Sequence, residues 1–98
     1  ARCPVCVESH LLQVEAALIQ EDLGEAHRLL QSPLLVSKGV DFAVRYLHLV
    51  VKLKRKEDKA MILRQLLYLV RFSDHSARVN IGYHRHALQL IKSLDSVL

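Results

Sequence analysis

Two long apolar stretches, residues 42–53 and 60–70, constrain the fold of this 98-residue chain most strongly. The polar residues in and around them follow helical spacing: Asp41, Arg45, His48, Lys52, Arg55 and Lys56 for the first, and Arg64, Gln65, Tyr68 and Arg71 for the second. Each stretch therefore predicts a helix with a narrow polar stripe and an otherwise apolar surface. We expect Leu66 and Leu67 both to lie in the core, because the second helix is apolar on almost every side.

The composition favours an all-α fold. Hydrophobic residues make up 51% of the chain, and three Gly and two Pro leave few turns for an all-β protein. Apolar spacing predicts five helices: residues 4–20, 23–31, 41–55, 58–72 and one that follows a cap at Ser73 or Asp74, with Asp41 and Asp58 capping the third and fourth. The short links predict a single domain over residues 1–98, built as an up-down helical bundle or a short α-solenoid.

The segment "ALIQEDLGEAHRLL", about 14 residues, has an Ala after a short turn and paired Leu beyond it. In this pattern it resembles the helix–turn–helix of tetratricopeptide-like repeats. A shift of 34 residues brings Ala26 onto Ala60, but it also brings Leu18 onto Lys52 and Leu30 onto Arg64. The resemblance implies helical hairpins of the tetratricopeptide or HEAT kind, and the chain is not assigned to either family.

Charged residues interrupt each apolar run before it reaches the roughly 18 residues that a membrane span needs. The first residues, "ARCPVCVESH", also lack the apolar region of a signal peptide. We therefore expect an intracellular protein, cytoplasmic or nuclear, that does not enter a membrane. Because the chain begins without Met, we expect a processed product or a piece excised from a larger protein.

A five-helix chain of this size can surround one nearly all-apolar helix, but hardly two. We therefore expect surplus apolar surface, which usually marks an interface. The leading hypothesis is a non-enzymatic scaffold, adaptor or oligomerisation domain that binds another protein, a protein helix or its own copy. The residues assigned to this apolar face are Phe42, Tyr46, Leu49, Val50, Leu53, Met61 and Leu69.

The segment "KLKRK" supports an alternative hypothesis, a basic nucleic-acid-binding domain that uses Lys52, Lys54, Arg55 and Lys56 on phosphates. The net charge of +4 is mild for that role, and no aromatic residues lie between the basic ones. The same cations also suit the negative end of a helix, and the segment matches a nuclear-localisation pattern.

Cys3, Cys6 and His10 share one helical face and have the chemistry of zinc ligands. A fourth ligand is not evident, so the sequence favours ordinary thiols and predicts no cofactor. No Ser or Cys has a nucleophile context, and no acidic pair is spaced for acid–base chemistry. The sequence therefore predicts no catalytic residues and no enzyme activity.

Overall fold

The structure, a computed structural model, describes residues 4–35, 41–73 and 80–97. This part of the chain forms five α-helices and one short 3-10 helix: α1 (Pro4–Ile19), α2 (Leu23–Leu30), the 3-10 helix Pro33–Leu35, α3 (Asp41–Lys54), α4 (Lys59–Phe72) and α5 (Ile81–Val97). The predicted all-α fold is confirmed. The predicted bounds of the first four helices differ from the observed ones by one residue at most.

Aspartates begin α2 and α4 in the same way. Oδ1 of Asp22 accepts a hydrogen bond from the Glu25 N–H at 3.2 Å, and Oδ1 of Asp58 accepts one from the Ala60 N–H at 3.0 Å. Each bond satisfies an N–H group that has no partner within its own helix. The prediction that Asp58 caps α4 is confirmed.

The N-terminus of α3 is capped from a distant part of the chain. Asp41, predicted as its cap, is instead the first helical residue, where its negative charge still faces the positive helix end. Oδ1 of Asn80 accepts a hydrogen bond from the Ala43 N–H at 3.2 Å. Asn80 is only 1% exposed, so this contact ties the start of α5 to α3 inside the core.

The link between α4 and α5 differs from the prediction. Ser73 ends α4, because its N–H donates to the Leu69 carbonyl at 3.1 Å. The described part of α5 begins at Ile81, and the other predicted cap, Asp74, lies outside the described residues.

Two helices end on residues in the left-handed backbone region, Glu21 after α1 with φ 59° and Lys56 after α3 with φ 62°. At Lys56 the backbone N–H donates to Leu53, and the next N–H, of Glu57, donates back to Lys52. This pair of bonds closes α3 and turns the chain sharply into α4.

The helices pack mostly in chain order: α1 on α2, α2 on α3, α3 on α4, and α5 on both α3 and α4. The Cα atoms extend over 43 × 29 × 16 Å, which is a flat arrangement. Helix α3 is the most enclosed, with six buried residues: Phe42, Ala43, Tyr46, Leu47, Leu49 and Val51. Helix α4 buries three, Ile62, Leu66 and Leu69. The chain thus surrounds its first apolar helix and covers its second on one side.

Apolar spacing in the last helix predicts one buried stripe that includes Ala87 and Leu94, and both residues are buried in the core. His84 lies off this stripe, so the spacing predicts a solvated side chain. That prediction is wrong, because His84 is half-buried and its ring lies 5.7 Å from the ring of Phe42.

Candidate functional site: the outer face of α4 and the adjoining groove

Helix α4 carries large apolar side chains on its solvent side. Met61 is 39% exposed, Leu67 50%, Tyr68 62% and Phe72 66%. Together with Arg64, Gln65 and Arg71, which are also exposed, these residues define what we call the α4 outer face. Gln65 and Tyr68 form its edge toward α3.

The prediction that both Leu66 and Leu67 lie in the core is half wrong. Leu66 is fully buried, whereas Leu67 is half exposed. Neighbouring residues on a helix point about 100° apart, and α4 turns Leu66 toward the core and Leu67 toward solvent.

A groove with a volume of about 350 Å³ runs between α3 and α4, beside the α4 outer face. Buried Leu49 and Leu69 form its floor. Its rims combine the polar stripes of the two helices: Arg45, His48 and Lys52 from α3, and Gln65 and Tyr68 from α4. The polar stripes predicted on the two helices therefore lie on opposite sides of one apolar groove.

Positive charge dominates the α3 rim of the groove. Arg45 is exposed, and Lys52 lies seven residues further along, about two turns on, on the same face of α3. Between them, partial burial lowers the pKa of His48 below its ordinary value of 6.5, and the positive charges of His27 and Lys52 lower it further. The His27 ring, from α2, lies edge-on to His48 with centroids 6.2 Å apart. His48 is therefore held neutral near pH 7, between two fixed cations.

An aromatic pair joins the α4 rim of the groove to the α4 outer face, because Tyr68 lines the groove and Phe72 lies next to it. The rings of Tyr68 and Phe72 lie 4.8 Å apart, and the Arg71 guanidinium lies 5.9 Å from the Phe72 ring centroid. Aromatic side chains that are rigid, exposed and adjacent to a depression are typical anchors of protein interfaces.

The apolar face assigned from the sequence does not coincide with this surface. Phe42 and Tyr46 are buried against other helices of the same chain, away from the groove between α3 and α4. Leu49 and Leu69 are also buried, and they contribute to this surface only as the floor of the groove. Val50 and Leu53 are half-buried and pack against the core. Met61 alone among the assigned residues lies on the α4 outer face.

The predicted basic cluster is divided between two places. Lys52 lines the groove, whereas Lys54, Arg55 and Lys56 are exposed at the turn from α3 to α4.

The predicted zinc ligands have no common site in the described residues. Cys3 and the side chain of Cys6 lie outside the described part of the chain. The third candidate, His10, donates its Nε2–H to the Leu29 carbonyl at 2.7 Å and so ties α1 to α2. Among the residues that the structure describes, no group of three or more His, Cys, Asp or Glu is placed to hold a metal ion.

A second, smaller cavity of about 170 Å³ lies on the other side of α3, where α1 and α5 approach it. Glu15, Tyr46 and His86 are among its lining residues, and the Tyr46 and Tyr83 rings are 6.0 Å apart. Burial, and then the negative charge of Glu15, raise the pKa of both tyrosines. The cluster joins three helices, and its cavity has about half the volume of the groove between α3 and α4.

Several residues of the groove and the α4 outer face were not predicted to bind a partner, among them Gln65, Tyr68 and Phe72. One signal for them was present: between Lys59 and Phe72 the sequence has three cations and no Asp or Glu, beside aromatic residues at i and i+4.

Comparison with protein-family models, curated proteins and solved structures finds no match, so function must be argued from the residues themselves. Within the described residues, none of the helices combines the length and the apolar character that crossing a membrane requires.

Proposed function

We propose that this chain is a non-enzymatic helical interaction domain, and that its α4 outer face with the adjoining groove binds another protein. An intracellular location, in the cytoplasm or the nucleus, is part of the same proposal. Scaffold and adaptor roles fit a domain of this kind.

One observation carries the proposal. Of the eight large hydrophobic side chains exposed in the described part of the chain, four lie on α4. The other four are shared between α1 (Leu12 and Ile19) and α5 (Ile81 and Leu88). Single exposed hydrophobic residues are ordinary, but several of them on one helix beside an apolar groove are typical of an interface.

The physical reason for the patch supports a binding role. Helix α4 is apolar enough to be a central helix, yet the described residues of the chain cover only one of its sides. A partner helix laid along the groove would cover the other side, as amphipathic helices do in hydrophobic grooves.

The test uses a labelled amphipathic peptide of about 14 residues, which as a helix matches the roughly 21 Å length of α4. Fluorescence anisotropy should show binding that weakens by about tenfold or more in the double variant Tyr68→Ser/Phe72→Ser. The matched control is Leu12→Ser/Ile19→Ser, which removes equally exposed apolar groups from α1 and should change the affinity by less than about twofold.

Two results would contradict the proposal. One is equal loss of binding in both double variants, which would indicate unspecific apolar contact. The other is tight binding of an oligonucleotide that weakens steeply with salt and depends on Lys54, Arg55 and Lys56, which would favour the nucleic-acid alternative.

A further inference from the structure

The charge around the proposed interface is one-sided. Helices α3 and α4 together carry six Lys and Arg residues and a single acidic one, Asp41, at the far N-terminal end of α3. On the α4 outer face the charged residues are Arg64 and Arg71, both cations. A partner that covers this surface must therefore lie among positive charges.

The groove combines this charge with an apolar floor. A side chain that enters between α3 and α4 meets Leu49 and Leu69, and its neighbours meet Arg45 and Lys52 on the rim. Carboxylates at the flanks of the entering side chain would pair with those cations, while an ammonium or guanidinium group there would be repelled.

The same charges argue against a second copy of this chain as the occupant. Two α4 outer faces brought together would oppose Arg64 and Arg71 with the same residues of the partner copy, and no carboxylate lies on either face to compensate.

From this geometry we propose that the site recognises an acidic amphipathic helix of another protein, with an apolar residue in the groove and Asp or Glu on both flanks. This inference rests on the proposed function and adds the chemistry of the partner to it.

The experiment compares three synthetic helical peptides that share one apolar face and differ only in flanking residues, which are Glu, Gln or Lys. Isothermal titration calorimetry should give the order Glu over Gln over Lys, with about tenfold between the first and the last. The variant Arg45→Glu/Lys52→Glu should reverse this order, and Arg45→Gln/Lys52→Gln should abolish it. Circular dichroism shows whether each variant is folded.

The matched control, Arg85→Glu/Lys92→Glu, makes the same change in net charge on the exposed side of α5 and should preserve the order. Equal reversal in the control would show that only net charge matters and would overturn the groove as the site. Equal affinity for all three peptides, lost in Tyr68→Ser/Phe72→Ser, would overturn the acidic preference and leave the proposed function standing. If no peptide binds, or if sedimentation shows a dimer closed through α4, both proposals fail.

Discussion

Asn80 shows how one side chain can fix the relation between two helices. Its buried amide oxygen takes the place of a local cap at the start of α3. Local spacing could not have predicted this, because the donor, Ala43, is 37 residues away.

Replacing Asn80 with Ala should lower the free energy of unfolding by about 1–3 kcal/mol, because a buried N–H loses its acceptor. Thermal or urea denaturation measures this effect. Ser93→Ala, on the exposed side of α5, serves as the control and should change stability by less than about 0.5 kcal/mol. If both changes lower stability equally, the loss comes from disturbing α5 in general and not from the hydrogen bond of Asn80.

His48 should make the stability of the protein depend on pH. Its pKa in the folded protein is lower than the ordinary 6.5. As pH falls below about 6.5, the unfolded chain therefore takes up a proton before the folded protein does, and stability decreases. Above that pH the residue is neutral in both states and its contribution is constant.

Urea denaturation at a series of pH values between about 7.5 and 5 should show this loss, and His48→Gln should reduce it. His27→Gln should reduce it in part, since it removes one of the neighbouring charges. An unchanged pH profile in His48→Gln would place the titrating group elsewhere.

In α4, the ends of the helix could be predicted from the sequence, but the exposure of its side chains could not. Its ends were predictable, because Asp58 caps it and Phe72 closes its apolar run. Which of its apolar residues are covered was not predictable, since that depends on where α3 and α5 pack. The groove was not predictable for the same reason. The polar stripes of α3 and α4 could be seen in the sequence, but their position on either side of one groove depends on how the two helices pack.

Leu66→Ala should destabilise the protein by about 2–5 kcal/mol, because it leaves a cavity at a fully buried position. Leu67→Ala makes the same chemical change one residue further along and should cost about 0.5 kcal/mol or less. Chemical denaturation of the two variants side by side measures the difference. Similar losses in both would show that Leu67 is covered within the monomer.

In the turn after α3, Lys56 has a left-handed backbone conformation, which costs energy for residues other than Gly. Lys56→Gly should therefore raise stability by about 0.5–1 kcal/mol, the relief of strain being partly offset by the greater freedom of Gly in the unfolded chain. Lys54→Gly, two residues earlier but within α3, should lower stability by a similar amount. A loss in both variants would contradict the strained turn.

The number of apolar residues in the chain predicts that some apolar surface stays exposed, but it does not predict where on the molecule that surface lies. The surplus of apolar surface was predictable, because a chain of this size cannot enclose two apolar helices. Its location was not: Phe42, Tyr46, Leu49 and Leu69 were assigned to the surface and lie in the core. The strongly apolar α3 became the centre of the fold, and the exposed surplus fell on α4.

The most direct test of the account is amide NMR of the labelled protein titrated with the acidic amphipathic peptide. We expect the largest chemical-shift changes in α3 and α4, along the Arg45–Lys52 rim and from Met61 to Phe72, with small changes on the exposed sides of α1 and α5. Changes centred on Leu12 and Ile19, or on Ile81 and Leu88, would contradict the account by placing the interface on another face.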